Sequence, residues 1–314
     1  MKLCTSTGDF SGYAASVTEK ILCFKDSPFR YINLEQTGTN PAFLSDDDDE
    51  WKRLAFEWGD AGARAGVTFV VSHSPVLNVF QTLDDETYAR GLRATRRALL
   101  ICGMLGIRRI VVHAGHNPAF MALEFAERNR RFYADLFDLM EKYGITVMTE
   151  NMDGTNLYVP LSTGRAMREF IDYVGHPLFG GCWDTAHANI NPKSRAAGQY
   201  DCITAVGDRL EGLHISDNLG GTWHHHSWPF AGNISFDAVM QGLLDARYDG
   251  YFTFEASYTL LHHTNPPTGR APWQHGGETV TKLLDPSVEL KKKAVELLYE
   301  TGKYILETYG CFEE

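Results

Sequence analysis

Two patterns alternate along the chain. Continuous apolar runs of four to six residues, rich in β-branched side chains, are separated by longer stretches whose apolar positions recur at helical spacing. Runs of the first kind fit strands buried on both faces of a parallel sheet, where crossover helices cover each side. They predict strands near 2–6, 30–36, 67–73, 107–113, 144–150, 178–184, 210–215 and 250–256. Helical spacing and good helix formers occupy 48–65, 84–105, 118–142, 162–175, 235–247 and 285–308. Gly66, Gly106, Gly144 and Gly250 fall just before strands, where a helix end calls for a left-handed residue. Eight strands so punctuated predict an α/β fold, a (β/α)8 TIM barrel forming a single domain over 1–314, since such a barrel uses about 250 residues. The extended loop at 257–284, after the last strand, is rich in Pro, Gly, His and aromatic residues and reads as a lid or a subunit contact. The acidic run at 46–50 reads as a solvated helix start.

The strand ends carry the chemistry. The third to eighth predicted strands close in turn on His73, His113, Glu150, Asp184, His214 and Glu255, or within a residue of them, at intervals of 30 to 41 positions. Strand C-termini of a barrel surround one common site, so these residues should converge. Glu150, Asp184, His214 and Glu255 combine carboxylates with one imidazole, a set suited to one divalent cation, Mn²⁺ first, with Mg²⁺, Co²⁺ or Zn²⁺ as alternatives. Neighbouring histidines at 224–226 cannot all face inward along an extended segment, and His226 is expected to face the site with His225 turned away. Trp183, Trp223 and Trp228 could stack on a sugar face or pack in the core.

Composition narrows the partners. A net charge of -11 and a pI near 5.5 disfavour nucleic acid, because a polyanion rewards basic proteins with counterion release. No apolar run reaches the roughly 20 residues that span a bilayer, and the N-terminus lacks a basic segment followed by an apolar one, so the expectation is a cytoplasmic protein. Cys4, Cys23, Cys102, Cys182, Cys202 and Cys311 form no close pair of zinc-site or redox spacing and read as reduced thiols. The strand ends carry no Arg or Lys, and Lys193 and Arg195 fall in a loop after the sixth strand, so a phosphate on the substrate has no support.

ThrGluAsnMetAspGly at 149–154, TrpAspThrAlaHisAlaAsn at 183–189, LeuHisIleSerAspAsn at 213–218, the stretch 226–236 and PheGluAla at 254–256 resemble the xylose isomerase-like barrel superfamily. Within it the chain is similar to the sugar phosphate isomerase/epimerase group and shares the ligand pattern of endonuclease IV-type enzymes. The resemblance implies a cation held by Glu150, Asp184, His214 and Glu255, with His187 facing the substrate or a second metal. It also makes His73, His113 and His226 substrate contacts or ligands of further zinc ions, with His224 as an additional metal ligand. His224 stands where the endonuclease pattern has Asp, and Phe230 where many epimerase-like members have Gly.

The expected activity is that of a metal-dependent isomerase or epimerase acting on a sugar, sugar phosphate or cyclitol ketone. A cation would acidify the proton beside the carbonyl by stabilising an enediolate, and Glu150 and Glu255 would move protons on opposite faces. Two alternatives share the barrel. One is a carbon-glycoside-cleaving lyase working with a small partner subunit, and the other a zinc-dependent abasic-site endonuclease. A small carbohydrate is the expected partner, in a homo-oligomer.

Overall fold

The computed structural model describes residues 1–36, 40–153, 161–221, 225–265 and 268–314. Eight parallel strands build the barrel: β1 (Lys2–Ser6), β2 (Tyr31–Glu35), β3 (Thr68–His73), β4 (Arg109–Val111), β5 (Thr146–Glu150), β6 (Phe179–Asp184), β7 (Leu210–His214) and β8 (Tyr251–Thr253). Neighbours in sequence are neighbours in the sheet, β1 pairs with β8, and the ring nearly closes through the bridge between Ile215 and Phe254. The fold is the expected TIM barrel.

Helices cover the outside: α1 (Val17–Leu22), α2 (Asp48–Ala65), α3 (Asp85–Leu105), α4 (Ala122–Ala134), α5 (Phe137–Tyr143), α6 (Gly164–Val174), α7 (Thr185–Ile190), α8 (Pro192–Ala197), α9 (Gln199–Val206), α10 (Phe236–Asp245) and α11 (Val288–Thr308). The main core lies between sheet and helices. It contains Trp58, Phe29, Tyr133, Phe179 and Phe254 among others, while a small cluster of Val71, Val111, Met148 and Cys182 fills the barrel interior. The acidic run starts α2 as expected: Asp47 caps it through the Asp49 amide, and Asp48 meets Arg97 at 2.9 Å.

Several local readings change. The stretch 118–142 is two helices, broken at Asp135 and Leu136, where the Tyr88 hydroxyl donates to Asp135 Oδ2 at 2.7 Å. The segment after β6 is not a loop but the three short helices α7 to α9, which put Lys193 and Arg195 on α8. Gly66, Gly106 and Gly144 are left-handed as expected, but Gly250 is not. There Arg247 takes the positive φ, 57°, and Gly250 is needed because a Cβ would strike the Tyr248 side chain. The loop at 257–284 carries the exposed hairpin of β9 (Trp273–His275) and β10 (Glu278–Val280). No helix among the described residues is long and apolar enough to cross a membrane.

Candidate metal centre and pocket

Strand alternation aims the ligands. On β6, Cys182 lies in the barrel interior and Asp184 turns into the mouth, so Trp183 between them points outward. That corrects the reading of Trp183 as a substrate-stacking side chain in favour of its alternative, the core: it is fully buried on the helix-facing side, and its indole N–H donates to Gln199 Oε1 at 2.9 Å. Asp184 then caps α7, accepting the His187 amide at Oδ1 (2.6 Å), and this one-turn start swings the His187 side chain inward. Asn151, next to Glu150, locks the pair of strand ends. Its Nδ2 donates to the Asp184 carbonyl at 2.9 Å, and its Oδ1 accepts from the Asp184 amide at 2.6 Å.

The six strand-end residues meet. Glu150 Oε1 lies 2.9 Å from His214 Nδ1 and 3.4 Å from His187 Nδ1. Its Oε2 lies 2.8 Å from His113 Nε2 and 3.6 Å from His73 Nε2. Glu255 Oε2 lies 2.9 Å from His214 Nδ1 and 3.8 Å from His226 Nδ1. Three overlapping groups result, each with ligand atoms within 4.8 Å of one another: Glu150, Asp184, His214 and Glu255; His73, His113 and Glu150; Asp184, His187 and His226. Glu150 belongs to two of them, and so does Asp184. His262, His263 and Asp285 form a fourth group outside the pocket, where Arg270 already lies 3.6 Å from the carboxylate. His224 and Trp223 fall outside the described residues.

Charge in this cluster is tightly shared. Burial alone would raise the Glu150 carboxyl, but His214, His113 and His73 hold it well below the usual range. Glu255 is treated likewise by His214 and His226. Burial raises the Asp184 carboxyl against the pull of His187 and His226. His187 is raised to about 9, because Asp184, Glu150 and Glu255 outweigh its burial, and His214 is also held well above the usual value. His113 is lowered by burial. Asp184 Oδ2 is buried with no hydrogen-bond partner among the described residues. An orphaned buried carboxylate oxygen is costly unless a donor or a cation meets it. The hard, anionic donor set therefore fits a divalent cation.

The cluster floors a cavity of about 580 Å³, within the range of small-molecule sites. His73, His113, Glu150, His187, His226 and Glu255 line it. Glu35, Gln36, Gly8, Val76, Leu77 and Tyr258 line it too, and sequence reasoning missed them. Glu35 was findable: it closes β2 as Glu150 closes β5, and its Cα pairs in register with His73.

A family model described as a xylose isomerase-like TIM barrel matches residues 25–279. The chain belongs to this family. Among curated relatives, a probable endonuclease 4 from Geotalea daltonii is 30% identical over 210 residues, covering 60% of this chain and 70% of its own length. Among solved structures, a D-tagatose 3-epimerase-like protein superposes with a TM-score of 0.69 at 21% identity, covering 99% of this chain and all of its own. IolI, solved with a bound zinc atom, gives 0.67 at 15% identity, covering 98% of this chain and 99% of its own. At these identities the structures share the fold.

Proposed function

We propose that this protein is a divalent-metal-dependent isomerase or epimerase acting on an α-hydroxy ketone of the carbohydrate class. One observation carries the reading: Glu150 and Glu255, from different strands, both approach His214 Nδ1 at 2.9 Å and both line the pocket. Two carboxylates so placed can serve a substrate from two sides, one accepting a proton and the other returning it. Glu150, Asp184, His214 and Glu255 would hold the cation, Mn²⁺ in our reading. A bound divalent cation would polarise the substrate carbonyl and stabilise the negative charge developing on its oxygen.

The protein's own groups supply the rest. Glu255 Oε2 and Glu150 Oε1 accept and deliver the proton at the carbon beside the carbonyl. Both lie 2.9 Å from His214 Nδ1, which would join them on the cation, and His187 and His226 offer hydrogen bonds to substrate oxygens. The fold shared with a D-tagatose 3-epimerase-like protein is in keeping with the reading.

The test is deuterium wash-in from heavy water into neutral ketohexoses, with metal content measured in the same samples. The wild type should exchange the proton beside the carbonyl. Glu150→Gln, reloaded with metal, should lose that exchange by about 100-fold or more. Wild-type rates in a metal-loaded Glu150→Gln would remove Glu150 from the role.

A second reading has specific support. The groups His73, His113, Glu150 and Asp184, His187, His226 could take further zinc ions, as phosphodiester hydrolysis uses, and the endonuclease 4 relatives point the same way. The net charge of -11 and a pocket lining without Lys or Arg argue against a nucleic-acid backbone.

A further inference from the structure

Among the described residues, Glu35 is the one pocket-lining carboxylate that belongs to none of the metal-type groups. Its backbone is fixed from the turn just after β1: the Glu35 amide donates to Thr7 Oγ1 at 3.0 Å. The Ser6 hydroxyl donates to Oε1, leaving Oε2 without a hydrogen-bond partner among the described residues. Gly8 makes room for this arrangement, because a Cβ there would collide with both carboxylate oxygens. A carboxylate laid down this deliberately at a pocket wall is an acceptor looking for donors, since an ionised carboxylate donates nothing.

The surroundings say which donors. Among the described residues, no Lys or Arg lines the pocket. Nor does the sequence contain one at 37–39, 154–160, 222–224 or 266–267. No ammonium or guanidinium group is therefore on hand to clamp a phosphate or carboxylate on a ligand, the lining histidines already face Glu150 and Glu255, and Glu35 would repel either anion at short range. Hydroxyl groups meet no such penalty and can donate to Oε2 in charge-assisted hydrogen bonds.

We propose that Glu35 is a specificity residue that accepts hydroxyl donors from the ligand and confines the pocket to neutral, hydroxyl-bearing compounds. The inference rests on the carbohydrate reading above and gives it a substrate class, unphosphorylated sugars. Ser6 is a positioning residue that aims the carboxylate.

Calorimetric titration of the metal-loaded full chain with D-fructose, D-tagatose and D-fructose 6-phosphate tests it, with melting temperature measured alongside. The wild type should bind at least one neutral ketohexose and hold the phosphate about tenfold or more weakly. Glu35→Gln keeps the shape and the Ser6 contact, and should lose about tenfold in affinity for the neutral sugar, with discrimination against the phosphate reduced. Ser6→Ala should shift the same ratio by less. A merely structural Glu35 would lower the melting temperature and leave the ratio untouched. The proposal is overturned if Glu35→Gln keeps both affinity and ratio, if the wild type prefers the phosphate, or if it binds no neutral sugar. Deuterium exchange on the same samples separates the two ideas. Discriminating binding without exchange sinks the reaction and spares Glu35, whereas exchange with an unchanged ratio in Glu35→Gln does the reverse.

Discussion

Glu150 turns one oxygen to His113 and His73 and the other to His214 and His187, so a single buried carboxylate ties two ligand groups together. With metal chelated, protons must do the holding. His187 is raised to about 9 from an ordinary value near 6.5. A folded value above the unfolded one stabilises fully below about pH 6.5, and that stabilisation is lost as pH rises through about 9. The chelated protein should therefore lose stability between pH 6.5 and 9.5, by on the order of 3 kcal/mol. Metal-loaded protein should show a smaller fall, since a cation replaces the imidazolium charge. Thermal melts across that range decide it, and a flat profile after chelation would contradict the charge sharing described here. Six of the seven strand-end groups around this site were legible because each closes an apolar run. Glu35 is harder to read because the predicted strand continues to Gln36, whose Nε2 donates to Ser72 Oγ and the Ala98 carbonyl. Of the two readings of Trp183 the core one holds, as period-two alternation from Asp184 already implies.

At the scale of elements, long periodic helices were readable nearly to the residue. The predicted 48–65 matches α2, and 84–105 differs from α3 only by the capping residue Asp84. Helices α7 to α9 were not readable, because pieces of six to eight residues divided by Asn191, Pro192 and Gly198 are too short to show a period. The long segment after β8 is anchored by a residue that no pattern announced. Lys291 on α11 is buried, and its Nζ donates to the Thr259 carbonyl at 2.6 Å and the Ser257 carbonyl at 3.2 Å. Asp9, raised to about 6 by burial against the pull of Lys291 and Thr5, supplies its nearby charge. Lys291→Met keeps the bulk and removes the donors, so two carbonyls lose their partner and the buried Asp9 carboxyl loses a nearby positive charge. The expected loss is about 2–4 kcal/mol of stability, with faster proteolytic cutting within 257–284. Unchanged melting and cutting would mean that the segment is held by something else.

For the whole molecule, the question is how many cations one barrel holds. The groups are not independent: Glu150 and Asp184 each serve two, so a second or third ion must share a carboxylate with the first. The group of Glu150, Asp184, His214 and Glu255 brings three carboxylates to one imidazole and includes the orphaned Asp184 Oδ2, so it should fill first and bind most tightly. The flanking groups have one carboxylate each, already engaged, and two imidazoles that prefer zinc. Purified protein dialysed against Mn²⁺ should therefore retain about one ion per chain. Removing it should lower the melting temperature, because a ligand held at a thousand times its dissociation constant contributes about 4 kcal/mol. Dialysis against Zn²⁺ discriminates between the two activities. Retention of one zinc ion fits proton transfer in a neutral sugar pocket. Retention of two or three, with loss of the extra ions in His73→Ala and His226→Ala but not of the first, would move the reading to hydrolysis, and the acidic surface would then have to admit a phosphodiester without a Lys or Arg among the described residues of the pocket wall.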